Sequence, residues 1–143
     1  MPDLTYLANR MKQIKANLAP EVSRCCIETG ITLEQYLVYT TPVDTSNALS
    51  NWQGSLDKPI TSEIFPYVPG VMGLTKLQSA AEALEVFTQK MMEKKPGQTI
   101  FISNNAPYIR DLNNGTSKQA PAGFVENCEL MARQSVKNFK MVL

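Results

Sequence analysis

Apolar or small side chains recur near the start of the chain at Leu4, Leu7, Met11, Ile14, Leu18, Val22, Cys25, Thr29, Leu33, Tyr36 and Thr40. Their mean step is close to the ~3.6 residues of an α-helical turn, so this seam predicts helix almost throughout the stretch. Pro20 falls inside it. A mid-helix proline removes a hydrogen bond and crowds the preceding turn, which predicts a kink or two abutting helices there, with Gly30 a second weak point. Pro42 ends the region, because the residue before a proline is pushed out of helical space.

Val43-Asp44-Thr45-Ser46 reads as a turn, with Asp44 able to accept from the amides that follow. From Ala48 to Leu56, small or apolar residues occupy positions 48, 50, 52, 54 and 56, the period of a strand anchored by Trp52. Residues 57–73 then interleave Pro59, Pro66, Pro69, Gly70 and Gly73 with Ile60, Ile64, Phe65, Tyr67 and Val68. That is too broken for a central strand and too apolar for a free linker. Two readings stay open: an extended arm ordered only against something else, or a long loop folded back on its own domain.

Thr75-x-x-Gln78 has the form of a capping box, opening a helix through Leu77, Ala80, Ala81, Leu84, Phe87 and Met91. Lys90, Lys94 and Lys95 suit its C-terminal end and read as a solvated helix terminus. After Pro96-Gly97, the β-branched and aromatic run at Thr99–Ile102 predicts a strand from about Gln98 to Ser103. Asn104 and Asn105 can cap the turn that follows. Pro107 suits a first helical turn, Tyr108, Ile109 and Leu112 share a face, and Asn114-Gly115 makes a left-handed stop. Pro121 restarts the chain into a helix carrying Phe124, Cys128, Met131, Ser135, Phe139 and Val142 at helical spacing. The sum is one α+β domain over 1–143, with a long, kinked N-terminal helix and middle and C-terminal helices packed on a small, mainly antiparallel sheet.

Composition narrows the chemistry. The chain has 143 residues, enough for one domain with a real core, and its formal charge of +1 leaves no electrostatic footprint of a dedicated nucleic-acid binder. Histidine is absent, which removes the commonest metal ligand and the usual general base. Glu126 and Glu129 share a helical face, a spacing far commoner on solvated helices than in acid-base pairs. Gly70 and Gly73 alone make no phosphate-binding loop. Cys25, Cys26 and Cys128 fall at apolar helical phases and read as small buried hydrophobes. Neither an enzyme nor a cofactor or metal is expected. No run of about eighteen apolar residues predicts a membrane span, and the N-terminus lacks the order of a signal peptide, so the protein is expected in the cytoplasm of the cell that makes it.

Two segments carry a resemblance. The string Asn-Asn-Ala-Pro-Tyr-Ile at 104–109, Leu-Asn-Asn-Gly at 112–115 and Ser-Lys-Gln-Ala-Pro-Ala-Gly-Phe-Val-Glu at 117–126 resembles the C-terminal half of bacteriophage neck or tail-completion proteins. Thr41-Pro42-Val43-Asp44-Thr45, followed by Trp52, is similar to the segment after the first long helix of that family. Both occur in the family's order, and the likeness extends from about residue 10 to 140. Two features depart from it. Ser46, Asn47 and Leu49 stand where relatives commonly read Thr-Gly and then two basic residues, and Thr116 stands where an aromatic is common.

The resemblance implies a virion protein made in the host cytoplasm and placed in the neck. It implies a homo-oligomeric ring, hexameric in this family, that joins portal and head-closure proteins to the tail terminator or tail tube. DNA would pass through its lumen as cargo, and no membrane is involved. A nearly neutral subunit suits such a channel, since each neutralised phosphate would add affinity and friction. The implied contact candidates are Trp52, Ile64, Phe65, Tyr67 and Val68, then Tyr108, Asn114, Gly115, Lys118, Pro121 and Phe124. Alternatives are a tail-terminator ring, or a cellular interaction module binding one partner through 57–73.

Overall fold

A computed structural model describes residues 3–120 and 122–143. Helix α1 (Leu4–Thr40) is followed by a short α2 (Asn47–Ser50), strand β1 (Trp52–Leu56), α3 (Lys76–Met91), strand β2 (Ile100–Asn104), α4 (Ile109–Asn113) and α5 (Asn127–Asn138). The architecture is α+β. β1 and β2 pair antiparallel, with Trp52 opposite Asn104 and Leu56 opposite Ile100.

α1 is a single helix that passes through Pro20 without a break. Asp3 caps it, accepting the Thr5 N–H at 2.8 Å. The seam predicts the helix but not the face it buries. The buried residues Ser23, Gly30, Glu34, Leu37 and Val38 lie about a third of a turn round from the seam. The reason is that α1 serves two partners. Its buried face meets α3 and the sheet, while the second half of the seam is only half-buried against α5, where Thr29 Oγ1 lies 3.2 Å from Ser135 Oγ. The first half of the seam is exposed apart from the half-buried Ile14.

Leu37, Val38, Val43, Leu49, Trp52, Ala80, Ala83, Ala120 and Phe124 form the main core. Phe87 packs beside it against Gly54, where an added Cβ would lie 2.3 Å from two ring carbons. Glycine on β1 is therefore what lets α3 close onto the sheet.

Three boundaries differ from the sequence pattern. Residues 47–50 form a helical turn rather than the start of a strand, because alternation would have put Leu49 on the wrong side and the turn buries both Ala48 and Leu49. α5 begins at Asn127 rather than just after residue 121, since Gly123 holds a positive φ of 80° and donates its N–H to the Asn113 carbonyl at 2.7 Å. It also ends before Phe139, whose backbone is extended. The tail then runs back along α1: Arg24 donates to the Lys140 carbonyl and stacks 4.3 Å over Phe139, the Val142 N–H reaches Glu21, and Arg10 reaches the Leu143 carbonyl.

The segment 57–73 is a loop folded back on its own domain, not an extended arm. Buried polar side chains tie it down. Asn51 accepts the Ile64 N–H at 2.8 Å and donates to the Ile64 carbonyl at 3.0 Å. Gln53 donates to the Ser62 carbonyl, Asn105 to that of Ile60, and Ser50 accepts the Tyr67 N–H. Thr75 is the residue before α3, but its hydroxyl donates to the Val68 carbonyl at 2.6 Å instead of capping the helix. Asp44 likewise reaches across to the Met72 N–H rather than to its own turn.

Candidate interaction surfaces

The two segments that carry the family resemblance meet in space. Gln119 grips Val43 from both sides, donating from Nε2 to its carbonyl and accepting its N–H at Oε1, each at 3.0 Å. Trp52 donates its indole N–H to Thr41 Oγ1 at 2.7 Å, and that hydroxyl donates onward to the Leu37 carbonyl. Asn104 donates to the Ala48 carbonyl at 2.8 Å. Asn113 completes the fastening: its Oδ1 accepts the Val125 N–H and its Nδ2 donates to Glu126, all at 2.9 Å. These motif residues hold α4, α5 and the end of α1 together.

That placement sorts the contact candidates. Trp52, only 6% exposed, and the fully enclosed Phe124 belong to the core, so they are corrected from contact residues to packing residues. Tyr67 packs against the same core, while Ile64 and Val68 are half-buried and held by their backbones. Phe65 points outward, 92% exposed. Tyr108, Asn114, Gly115 and Lys118 lie on the surface, Gly115 with the left-handed φ of 89° that its helix stop requires. Pro121 lies outside the described residues. Cys26 is exposed rather than buried, whereas Cys25 and Cys128 are half-buried.

An open hollow lies beside this joint, lined by Pro42, Asp44, Ser46, Tyr108, Ser117 and Gln119 among others. Among the described residues lining it, Asp44 alone is charged. Glu126 accepts from Asn113 at 2.9 Å, and Glu129 pairs with Arg133 at 2.7 Å. Among the described residues, no group of three His, Cys, Asp or Glu side chains is placed to hold a metal, and no helix is long and apolar enough to cross a membrane.

Among the described residues, one titratable group is buried without a hydrogen-bond partner. Glu34 is fully enclosed on α1, and neither of its carboxylate oxygens is hydrogen-bonded. Burial pushes its carboxyl well above the usual carboxylate range, with the charge of Lys90 pulling weakly the other way. Burial, with Glu34 nearby, also pushes the Cys128 thiol up to about 11, which makes it a poor nucleophile.

The apolar surface lies elsewhere. On the first half of α1, Leu4 (72% exposed), Leu7, Met11, Leu18 and Val22 form a stripe along one side of the helix, and Tyr6 is exposed on another side. A second stretch runs through Val71, Met72, Leu74, Leu77 (69%) and Met92 (71%), leading into and along α3. Large contiguous apolar exposure on a soluble chain marks a contact surface more often than an accident. Sequence reasoning placed the first stripe in a packed helix and missed it as a surface. Length was the available signal. A helix of 37 residues is roughly 55 Å long at about 1.5 Å per residue, whereas a compact chain of this size is under roughly 40 Å across.

Comparison of the chain with protein-family models, with curated proteins and with solved structures returns no match.

Proposed function

We propose that this chain is a structural subunit of a tailed-phage virion, assembling with its own copies as a neck or tail-completion ring that joins head to tail. The virion class rests on the resemblance of residues 41–52 and 104–126. The observation that supports work by assembly is the first half of a long α1, whose apolar stripe is exposed in the single subunit. A subunit that acts by joining other bodies needs such surfaces, while the polar side chains of its motifs serve to hold the joint rigid. The near-neutral charge of +1 suits a wall that lets DNA pass.

The test is gold-antibody labelling of intact particles of a phage that encodes this chain, viewed by electron microscopy. The expected result is one label at the head-tail junction. Particles whose capsid and tail controls label well, but whose junction stays bare, would overturn the reading.

A further inference from the structure

We infer that the first half of α1 of one copy docks along the outer face of α3 of a second copy, a head-to-tail contact between unlike surfaces. The inference builds on self-assembly in the proposed function and adds which two surfaces meet.

Both surfaces are helical stripes of matched length. On α1 the stripe is Leu4, Leu7, Met11, Leu18 and Val22, at helical spacings, spanning roughly 27 Å at about 1.5 Å per residue. On α3 the inward face carries Ser79, Ala80, Ala83, Phe87 and Met91. Leu77, Ala81, Leu84, Thr88 and Met92 follow at steps of three and four on an adjoining face that is exposed or half-buried, spanning roughly 22 Å. In the single copy Leu4, Leu7, Met11, Leu18 and Val22 are exposed on α1, as are Leu77, Ala81 and Met92 on or just after α3. The projecting part of α1 is continuous with the packed part, so it cannot fold back onto its own α3.

Charge selects the pairing. Lys12 and Lys15 are exposed on α1, and Glu82 and Glu85 are exposed on the outer side of α3. None of the four forms an ion pair among the described residues. Pairing two α1 arms antiparallel would set the lysines of one against those of the other, since both flank the same side of the stripe. An arm lying antiparallel along α3 sets lysines against glutamates instead, which suppresses the like-with-like register and favours the unlike one. A contact between unlike surfaces propagates from copy to copy, and where the rotation closes it makes a ring.

The experiment is light scattering across a concentration series on the full chain and on charge-reversed surface variants, with circular dichroism to confirm that each is folded. The wild-type chain is expected to self-associate, less so at high salt. Reversing the arm (Lys12→Glu with Lys15→Glu) or the face (Glu82→Lys with Glu85→Lys) should each weaken association by about tenfold or more. Carrying all four changes in one chain, or mixing the two reversed chains in equal amounts, should restore it, because acidic arm then meets basic face. Association unchanged by either reversal overturns the docking surface while leaving ring assembly standing. Four-fold reversal that fails to restore association, or a wild-type chain monomeric at every concentration, also overturns it. The virion reading is decided separately by the gold label at the junction.

Discussion

Two apolar segments of this chain, 4–22 and 57–73, exchange the roles their sequences suggest. The first has perfect helical periodicity and looks like packing. The second is broken by prolines and looks like an arm. In the structure the periodic segment projects with its apolar stripe in solvent, and the broken segment is fastened to the domain by buried polar side chains. The difference teaches what each kind of pattern encodes. Periodicity specifies a conformation, because it states which residues share a side. It does not specify a partner, which depends on what the rest of the chain can bring alongside. Proline, in turn, denies a ladder but leaves side chains elsewhere free to satisfy the backbone.

Deleting residues 60–70 should therefore have the largest effect. It removes the carbonyls and amides that Asn51, Gln53, Asn105 and Ser50 satisfy and strands the buried Asn51, Gln53 and Ser50 in the core. The expected outcome is loss of the cooperative melt by circular dichroism. Starting the chain after Lys15 removes only the half-buried Ile14 and the Arg10 bond to the Leu143 carbonyl from the packed part, so it should lower the melting temperature far less. A loop deletion that melts like the intact protein would break the comparison outright.

A single side chain carries much of that fastening. Asn51→Ala leaves the Ile64 N–H and carbonyl without their partner, and an orphaned buried group costs about 1–3 kcal/mol. Urea denaturation should show a loss in that range. Limited proteolysis should cut faster within 57–73, while cleavage within 4–22 stays as in the parent.

Glu34 sharpens the contrast within α1 itself, since it is the enclosed carboxylate on the half of the helix that is packed. Its folded-state pKa is raised above the usual 4.5, so the folded protein holds a proton there that the unfolded chain has released. The stability this group contributes is complete below about pH 4.5 and is lost as pH rises through its folded value. Glu34→Gln should remove that part of the pH dependence and raise the melting temperature near neutral pH. Equal pH slopes for variant and parent would show that the carboxylate is not desolvated. Lys90 on α3 opposes the effect in part, and the exposed half of α1 has no such group.

Much of this architecture was legible because its signals are local. Helices α1 and α3, strand β2 and the glycine stop at Gly115 follow from spacing and turn chemistry near each residue. The face that α1 buries was not legible, since Ser23, Gly30 and Glu34 look like polar or breaking positions until α3 and the sheet lie against them. The helical turn at 47–50 was hidden for a similar reason: alternation through Trp52 is real, but Leu49 needs burial that only the turn provides. For the loop, the decisive residues Asn51 and Gln53 read as ordinary strand polar positions. Their partners lie about ten or more residues on, and nothing in the spacing announces them. Of the contact candidates, Phe65 kept its exposure, while Trp52 and Phe124 were large enough to be needed inside.

The smallest expected effect falls on the arm, and it is informative because it is small. Replacing Leu7 and Met11 by serine removes two large apolar side chains from a helix without touching the domain core, since both are exposed in the single subunit. Substitutions at solvated positions away from caps and buried partners usually change stability by no more than about 0.5 kcal/mol each. Serine's lower helix propensity works in the destabilising direction by ~0.3 kcal/mol at each position. Chemical denaturation under dilute conditions should therefore barely distinguish variant from parent. Self-association in the concentrated protein should fall clearly, because the same side chains are buried only when a second copy arrives. A large loss of stability in the dilute monomer would mean that the arm packs against its own domain, and the division of α1 into an anchored half and a projecting half would have to be abandoned.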